Sequence, residues 1–123
     1  MKTRREWKAE YREKVFPMGV LQIRNLADGK VFLDSGLNLP SLKNRHRFML
    51  NLGTHPNRGL QVDWNCLGEK AFCFEIVNEV EREPDHPDRD YRSDVKALEQ
   101  LVFEEKRPFG MGGYHYTPIS GRS

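Results

Sequence analysis

The sequence has few cysteines, no long hydrophobic run and no apolar N-terminal segment, and each of these absences excludes a class of protein. Its two cysteines, Cys66 and Cys73, have no CxxC partner and no second Cys/His pair at zinc spacing, so we predict two reduced structural thiols. No apolar run approaches the ~20 residues that cross a bilayer, so we predict no membrane contact. The N-terminus, MKTRREWKAE, lacks the apolar core of a secretory signal, and we therefore expect a cytoplasmic protein.

Charge is nearly balanced overall, with a net charge of +2, but it is unevenly distributed along the chain. Residues 1–58 carry 12 Lys and Arg against 5 Asp and Glu, whereas residues 59–123 carry 8 against 13. Such an imbalance is typical of nucleic-acid-binding proteins, because the basic part can contact phosphates. Two ordinary solvated faces would give the same imbalance, so charge alone leaves both interpretations open.

The length of 123 residues fits a single domain, and seven Phe and two Trp argue against disorder. Residues 1–18 contain an amphipathic helix predicted over 2–16, whose apolar stripe comprises Trp7, Tyr11 and Val15. This helix either docks its stripe on the domain or lies on a phosphate backbone, and the two are compatible. We assign the domain itself to residues 19–115 and a flexible tail to residues 116–123.

The clearest local signal is the dipeptide Asp28-Gly29 between two apolar, β-rich runs, which predicts a hairpin of residues 19–25 and 30–36. Apolar residues on both faces of 71–80 favour a third strand that is central and covered. Helices are predicted over 39–52, 57–67 and 91–107 from their apolar spacing. The predicted fold class is α/β, of the α+β kind, with a small and mainly antiparallel three-stranded sheet flanked by helices.

A charged loop is predicted over residues 81–90, where His86 lies among Asp85, Asp88 and Asp90. These side chains include the types that bind metals, but prolines interrupt the loop and the spacing is irregular. A solvated acidic loop is the favoured interpretation.

The hairpin also carries a family resemblance. Gly19-Val20-Leu21 stands where GIY-YIG nucleases have GIY, and Phe32-Leu33-Asp34 stands where they have YIG. The text IRNLADGKVFLDSG…NRHRF…HPNRGLQVDWNCLGEKAFCFEIV resembles in particular a group of small standalone bacterial GIY-YIG proteins. The resemblance implies a GIY-YIG-like fold and metal-assisted phosphodiester hydrolysis, with Mg²⁺ or Mn²⁺ acting as a Lewis acid.

Most catalytic positions implied by the resemblance are substituted. The two hairpin tyrosines fall on Leu21 and Phe32, and the helix arginine falls on Leu42. The family's glycine falls on Asp34, and an asparagine near the C-terminus falls on His115. The metal-binding glutamate is clearly kept, as Glu99, and His46 matches a histidine that family members often carry one helical turn beyond the arginine.

The basic part of the domain supplies candidate phosphate contacts, namely Arg24, Lys43, Arg45 and Arg47. Arg45 or Arg47 could also bring a guanidinium to the site in place of the arginine lost at Leu42, because Leu42, Arg45 and His46 project from one side of the helix. The alternative is a basic solvated face with no catalytic role.

Three functions follow from these observations. The leading prediction is a nuclease-like domain that binds nucleic acid, with DNA as the expected form, and has weak or lost phosphodiesterase activity and no required cofactor. The second is an active endonuclease with a rearranged site that uses Mg²⁺ or Mn²⁺ at Glu99. The third is a protein-interaction module without nucleic acid, in which the oppositely charged halves pair head to tail with a second copy or with an acidic partner.

Overall fold

A computed structural model describes residues 16–86, 88–109 and 112–115. Within them, a three-stranded sheet has helices on both faces. The predicted helix over residues 2–16 and the tail from residue 116 lie outside the described residues, apart from Phe16. None of the described helices is long and apolar enough to cross a membrane.

The sheet consists of β1 (Met18–Asn25), β2 (Val31–Gly36) and β3 (Phe72–Val80), in the order β2-β1-β3, and both pairings are antiparallel. The predicted hairpin is confirmed. Gly29 adopts a left-handed conformation at φ 83°, as the tight connection requires. The prediction that the third strand is central is wrong, because β1 lies between β2 and β3. Residues on both faces of β3 are apolar because helices cover both faces of this edge strand.

Three helices follow the predicted positions, namely α1 (Leu39–Leu52), α2 (Arg58–Leu67) and α3 (Arg92–Lys106), and a 3-10 turn (Glu69–Ala71) precedes β3. Local chemistry sets their ends. The side-chain oxygens of Asn38 and Asn57 accept hydrogen bonds from the Ser41 and Leu60 N–H groups, both at 3.0 Å, and so cap α1 and α2. Gly53 ends α1 in a left-handed conformation at φ 81°.

The two faces of β1 bury different side chains. Leu21 and Ile23 face α1 and α2, where they pack against Leu42, Leu50 and neighbouring residues. Val20 faces α3, where it joins a cluster with Leu33 and Val102. The basic helix α1 and the more acidic helix α3 are therefore on opposite faces of the sheet.

The sequence of α1 predicts an apolar stripe of Leu42, Met49 and Leu52, but the buried stripe of the helix differs from it. The structure buries Leu39, Leu42, His46 and Leu50, whereas 59 % of Leu52 is exposed. The buried positions follow the helical period, and a histidine fills one of them. Hydrogen bonding makes that possible, because a polar ring can be buried when its nitrogens have partners.

Candidate functional site

The outer edge of β2 is covered by the C-terminal segment of the domain. The Val31 carbonyl accepts a hydrogen bond from Tyr114 N–H at 3.0 Å, and the Leu33 N–H donates to Nε2 of His115 at 2.8 Å. Tyr114 is anchored in turn, because its hydroxyl donates to Asp63 at 2.7 Å and accepts from the Asn25 amide at 2.9 Å. His115 is thereby held beside the middle of β2.

The positions implied by the resemblance lie in one region around β2. The Phe32 ring stacks on His115, with centroids 4.7 Å apart and planes at 8°, and meets His46 edge-on at 5.3 Å. Leu21 and Leu42 belong to one buried cluster, with 2 % and 7 % of their surfaces exposed. Leu21 and Leu42, which stand where the resemblance implies a tyrosine and an arginine, therefore help to fill one part of the core.

Glu99 lies on the other face of the sheet from His46, next to β2. Its Oε2 accepts a hydrogen bond from the Ser35 hydroxyl at 3.0 Å, and its Oε1 pairs with Lys96 Nζ at 3.2 Å. Only 16 % of the Glu99 side chain is exposed. This carboxylate is thus held in place by the strand that carries Asp34 and Phe32.

Asp34 begins a chain of hydrogen bonds that runs into the protein. Its Oδ2 lies 2.8 Å from Nε2 of His46, and Nδ1 of His46 lies 2.9 Å from Nε2 of His55. Nδ1 of His55 then accepts a hydrogen bond from the Asn57 N–H at 3.0 Å. Both imidazoles are buried, with 3 % of His46 and 5 % of His55 exposed.

The backbone determines the direction of every hydrogen bond in this chain. A backbone N–H can only donate, so Nδ1 of His55 carries no proton and the neutral ring has its proton on Nε2. His55 therefore donates to Nδ1 of His46, and His46 donates from Nε2 to the Asp34 carboxylate. An extra proton on His55 would break its bond with the Asn57 N–H, so the geometry holds this ring neutral.

The pKa values of His55, His115 and Asp34 are all lowered. Burial lowers the pKa of His55 to about 4, and the adjacent His46 disfavours a positive charge there. Burial likewise lowers the pKa of His115. Burial raises the pKa of Asp34, but hydrogen bonds from His46 and the Ser35 N–H, together with Arg45, leave it below its ordinary value.

Acidification is expected to destabilise the protein through His55. Its pKa of about 4 in the folded state lies below the ~6.5 of an unfolded chain, so the unfolded state binds more protons between these values. The free energy of unfolding is then highest above about pH 6.5 and falls by up to about 3 kcal/mol as the pH drops to 4. Urea denaturation at a series of pH values measures this loss.

The matched variants for this measurement are His55→Asn and His86→Asn. Asparagine at 55 keeps an acceptor for the Asn57 N–H but does not titrate, so the dependence between pH 6.5 and 4 should flatten. His86 is exposed in the loop before α3, and its replacement should leave the dependence unchanged. An unaltered slope in His55→Asn would contradict this account.

The four predicted phosphate contacts occupy different environments. Arg24 Nε lies 3.1 Å from Oε1 of Glu75, and Arg47 Nε lies 3.4 Å from Oε2 of Glu69. Arg45 has only a 3.9 Å contact with Asp34, and 64 % of its side chain is exposed. Lys43 is half-buried, and no ion pair joins it to a carboxylate in the described ranges.

The described residues do not form a metal site by themselves. No group of three or more His, Cys, Asp or Glu side chains within 16–86, 88–109 and 112–115 comes close enough to hold a metal ion. Glu99, the predicted metal ligand, offers one carboxylate, and the ammonium of Lys96 already lies against it. Mg²⁺ in proteins is often bound by one or two carboxylates together with substrate phosphates and water, but this single paired carboxylate is a weak donor set.

His55, a member of the hydrogen-bonded chain, and Gln61, which accepts from its backbone, had no sequence signal. His55 and Gln61 belong to the loop after α1 and to α2, and the His55 N–H donates to Oε1 of Gln61 at 3.0 Å. Asn57 falls inside the helix predicted over 57–67, whereas the structure makes it the N-cap of α2. Nothing in the spacing of His46 and His55 indicates that their rings meet.

Similar folds occur among solved structures. One is the catalytic domain of the homing endonuclease I-TevI, with a TM-score of 0.65 and 25 % identity over 82 % of this chain and 99 % of that chain. Another is a glutamate-to-alanine mutant of the catalytic domain of intron endonuclease I-TevI, with a TM-score of 0.64 and 22 % identity over 81 % and 93 %. No protein-family model and no curated protein matches this chain. The chain has a GIY-YIG-like α+β fold, as predicted.

Proposed function

We propose that this nuclease-like domain binds nucleic acid, with DNA as the expected form, through the face that α1 presents, and that its phosphodiesterase activity is weak or lost. The observation that carries the proposal is Arg45, whose largely exposed guanidinium lies 3.9 Å from Asp34 at the candidate site. The similarity to an endonuclease catalytic domain supports a nucleic-acid ligand.

The charge of α1 supports the same ligand. Its 14 residues include Lys43, Arg45 and Arg47 but no Asp or Glu. A helix whose charged side chains are all basic Lys or Arg attracts a polyanion and adds a salt-dependent component to its binding. Asp34 is the opposing feature, because an ionised carboxylate next to a scissile phosphate repels it.

The environments of the cations predict which of them contribute to binding. Arg45→Gln should weaken DNA binding and reduce the slope of log K against log salt concentration by about 1, because one phosphate contact is lost. Arg47→Gln removes an equal charge from the same helix, but Arg47 is already paired with Glu69 and lies over the Phe74 ring at 5.2 Å. Arg47→Gln should therefore lower the free energy of unfolding by up to about 1 kcal/mol and leave the salt slope of DNA binding nearly unchanged.

Fluorescence anisotropy with a labelled DNA over a range of salt concentrations tests both variants. Negligible affinity at low salt, or binding without a salt slope, would refute nucleic-acid binding through this face. Equal slopes for the two variants would instead show that general charge, rather than Arg45, governs binding.

A second candidate function is an active divalent-metal endonuclease with a rearranged site. The observation in its favour is that Ser35 holds the Glu99 carboxylate against β2, while His46 and Arg45 approach Asp34 on the same strand. A carboxylate, a guanidinium and an imidazole therefore lie around one strand end. Strand scission that depends on Glu99 would establish this function.

A further inference from the structure

We infer that the outer stripe of α1, which comprises Ser41, Arg45, Phe48 and Leu52, binds single-stranded nucleic acid, with Phe48 stacking on an unpaired base and Arg45 contacting a phosphate. The inference rests on the proposed function, because it specifies the form of nucleic acid that the same face takes. It concerns binding alone and requires neither a metal nor catalysis.

The first observation is the exposure of Phe48. Its exposed fraction is 65 %, the highest among the large apolar side chains of the described part of the chain. Leu52, one turn further along α1, is 59 % exposed. Residues 41, 45, 48 and 52 share one side of the helix, so these side chains form a continuous stripe about 16 Å long.

The second observation is the charge around the ring. Arg45 precedes Phe48 by three residues, which makes the two side chains neighbours on the helix surface. The helix α1 has three Lys and Arg residues and no acidic residue. Its outer stripe therefore favours an anionic partner over a neutral or basic protein surface. An exposed aromatic ring beside a largely exposed guanidinium suits a nucleotide, which has a planar base and a charged phosphate.

A duplex offers no base face on which the Phe48 ring can stack. Bases inside a duplex stack on one another, so a side chain on a protein surface reaches a base face only where a strand is unpaired or splayed. Arg47 shows the contrast within α1, because its guanidinium lies over Phe74 and beside Glu69. On the outer stripe, by contrast, the Phe48 ring and the Arg45 guanidinium are both exposed. A single strand can stack a base on the ring and place a phosphate at the guanidinium.

The stripe also leads to the candidate site. Arg45 connects the two, since it lies on the stripe and 3.9 Å from Asp34. A strand whose base rests on Phe48 would therefore have a neighbouring phosphate near the end of β2. Stacking on the outer stripe would thus determine which phosphate of the nucleic acid lies at the candidate site.

The test compares three labelled probes of equal length by fluorescence anisotropy: a single-stranded oligothymidine, a blunt duplex, and a single strand with abasic sites. Phe48→Ala should weaken binding of the oligothymidine by about 5- to 100-fold, the range measured for one base–aromatic stack. It should leave the duplex, the abasic strand and the salt slope unchanged. The thermal midpoint should not move, because the ring is mostly exposed.

Two further variants separate stacking from general apolar contact. Phe48→Leu keeps apolar area without a π-face and should lose as much affinity for oligothymidine as Phe48→Ala. Leu101→Ala removes an apolar side chain that is 62 % exposed on α3, and it should change no probe's affinity. Recovery of affinity in Phe48→Leu would overturn the stacking assignment.

The outcomes also distinguish this inference from the proposed function. Normal binding of all probes by Phe48→Ala, with a salt slope that Arg45→Gln reduces, would overturn the inference and leave the proposed function intact. Equal losses on duplex and single strand would overturn the preference for single strands. Absence of binding to every probe at low salt would overturn both.

Discussion

The Gly19→Ala variant is expected not to accumulate as a folded protein. A Cβ at this position would lie 2.1 Å from the Asn78 carbonyl oxygen and 2.7 Å from the Glu79 Cα, and both are backbone atoms of β3. Gly19 also has φ 151°, which side-chain-bearing residues rarely adopt. Steric overlap and backbone strain together should cost more than about 4 kcal/mol, a large share of the stability of a small domain.

The matched control for this variant is Gly53→Ala. Gly53 ends α1 at φ 81°, but no atom lies within 4 Å of a Cβ built there. It therefore tests the conformational cost alone, which should be about 1 kcal/mol. Soluble expression and thermal denaturation of both variants measure the difference, and similar midpoints would contradict the close approach of β1 and β3 at Gly19.

The second large effect is expected in catalysis: purified protein in Mg²⁺ or Mn²⁺ should leave plasmid and branched DNA uncut. Leu21 and Leu42 are packed in the core and have no polar group, and Phe32 has no hydroxyl. Loss of one group that stabilises the transition state typically costs about 10²- to 10³-fold in rate. Losses within one catalytic unit are not additive, but what remains is little more than binding.

The control for this experiment is Glu99→Ala. Metal-dependent scission by the unaltered protein that disappears in Glu99→Ala would contradict lost activity and establish the rearranged endonuclease. Scission that persists in Glu99→Ala would point to a contaminating nuclease or to another site. Gel-resolved plasmid nicking, with both proteins purified in parallel, distinguishes these results.

Packing opposes placing the polar side chains that the resemblance implies at Leu21 and Leu42 by a single change. Leu21 and Leu42 lie in one cluster with Leu39 and Phe74, so each of them fills space that a polar replacement would have to share. With 7 % of position 42 exposed, a guanidinium there would be buried next to leucines, which is costly unless an acceptor pairs with its charge. Leu21 and Leu42 are therefore core residues as well as positions that the resemblance implies for the site.

The sequence by itself determined the local elements. Asp28-Gly29 specified the hairpin, and Asn38, Asn57 and Gly53 specified helix ends, because turns and caps depend on neighbouring residues. Several positions that the family resemblance implies lie near β2. Phe32, His46 and His115 do lie together, and Glu99 lies behind the same strand.

Only the tertiary structure decided the order of the strands and the partners of the polar groups. Apolar residues on both faces of β3 indicate cover on both faces, but they do not say whether another strand lies beside it. The pairing of Arg47 with Glu69, and of His46 with His55, depends on how α1 meets residues that follow it. The sequence alone shows which residues carry a positive charge. Which of them stay available to a ligand depends on contacts between elements, and this information is absent from local sequence.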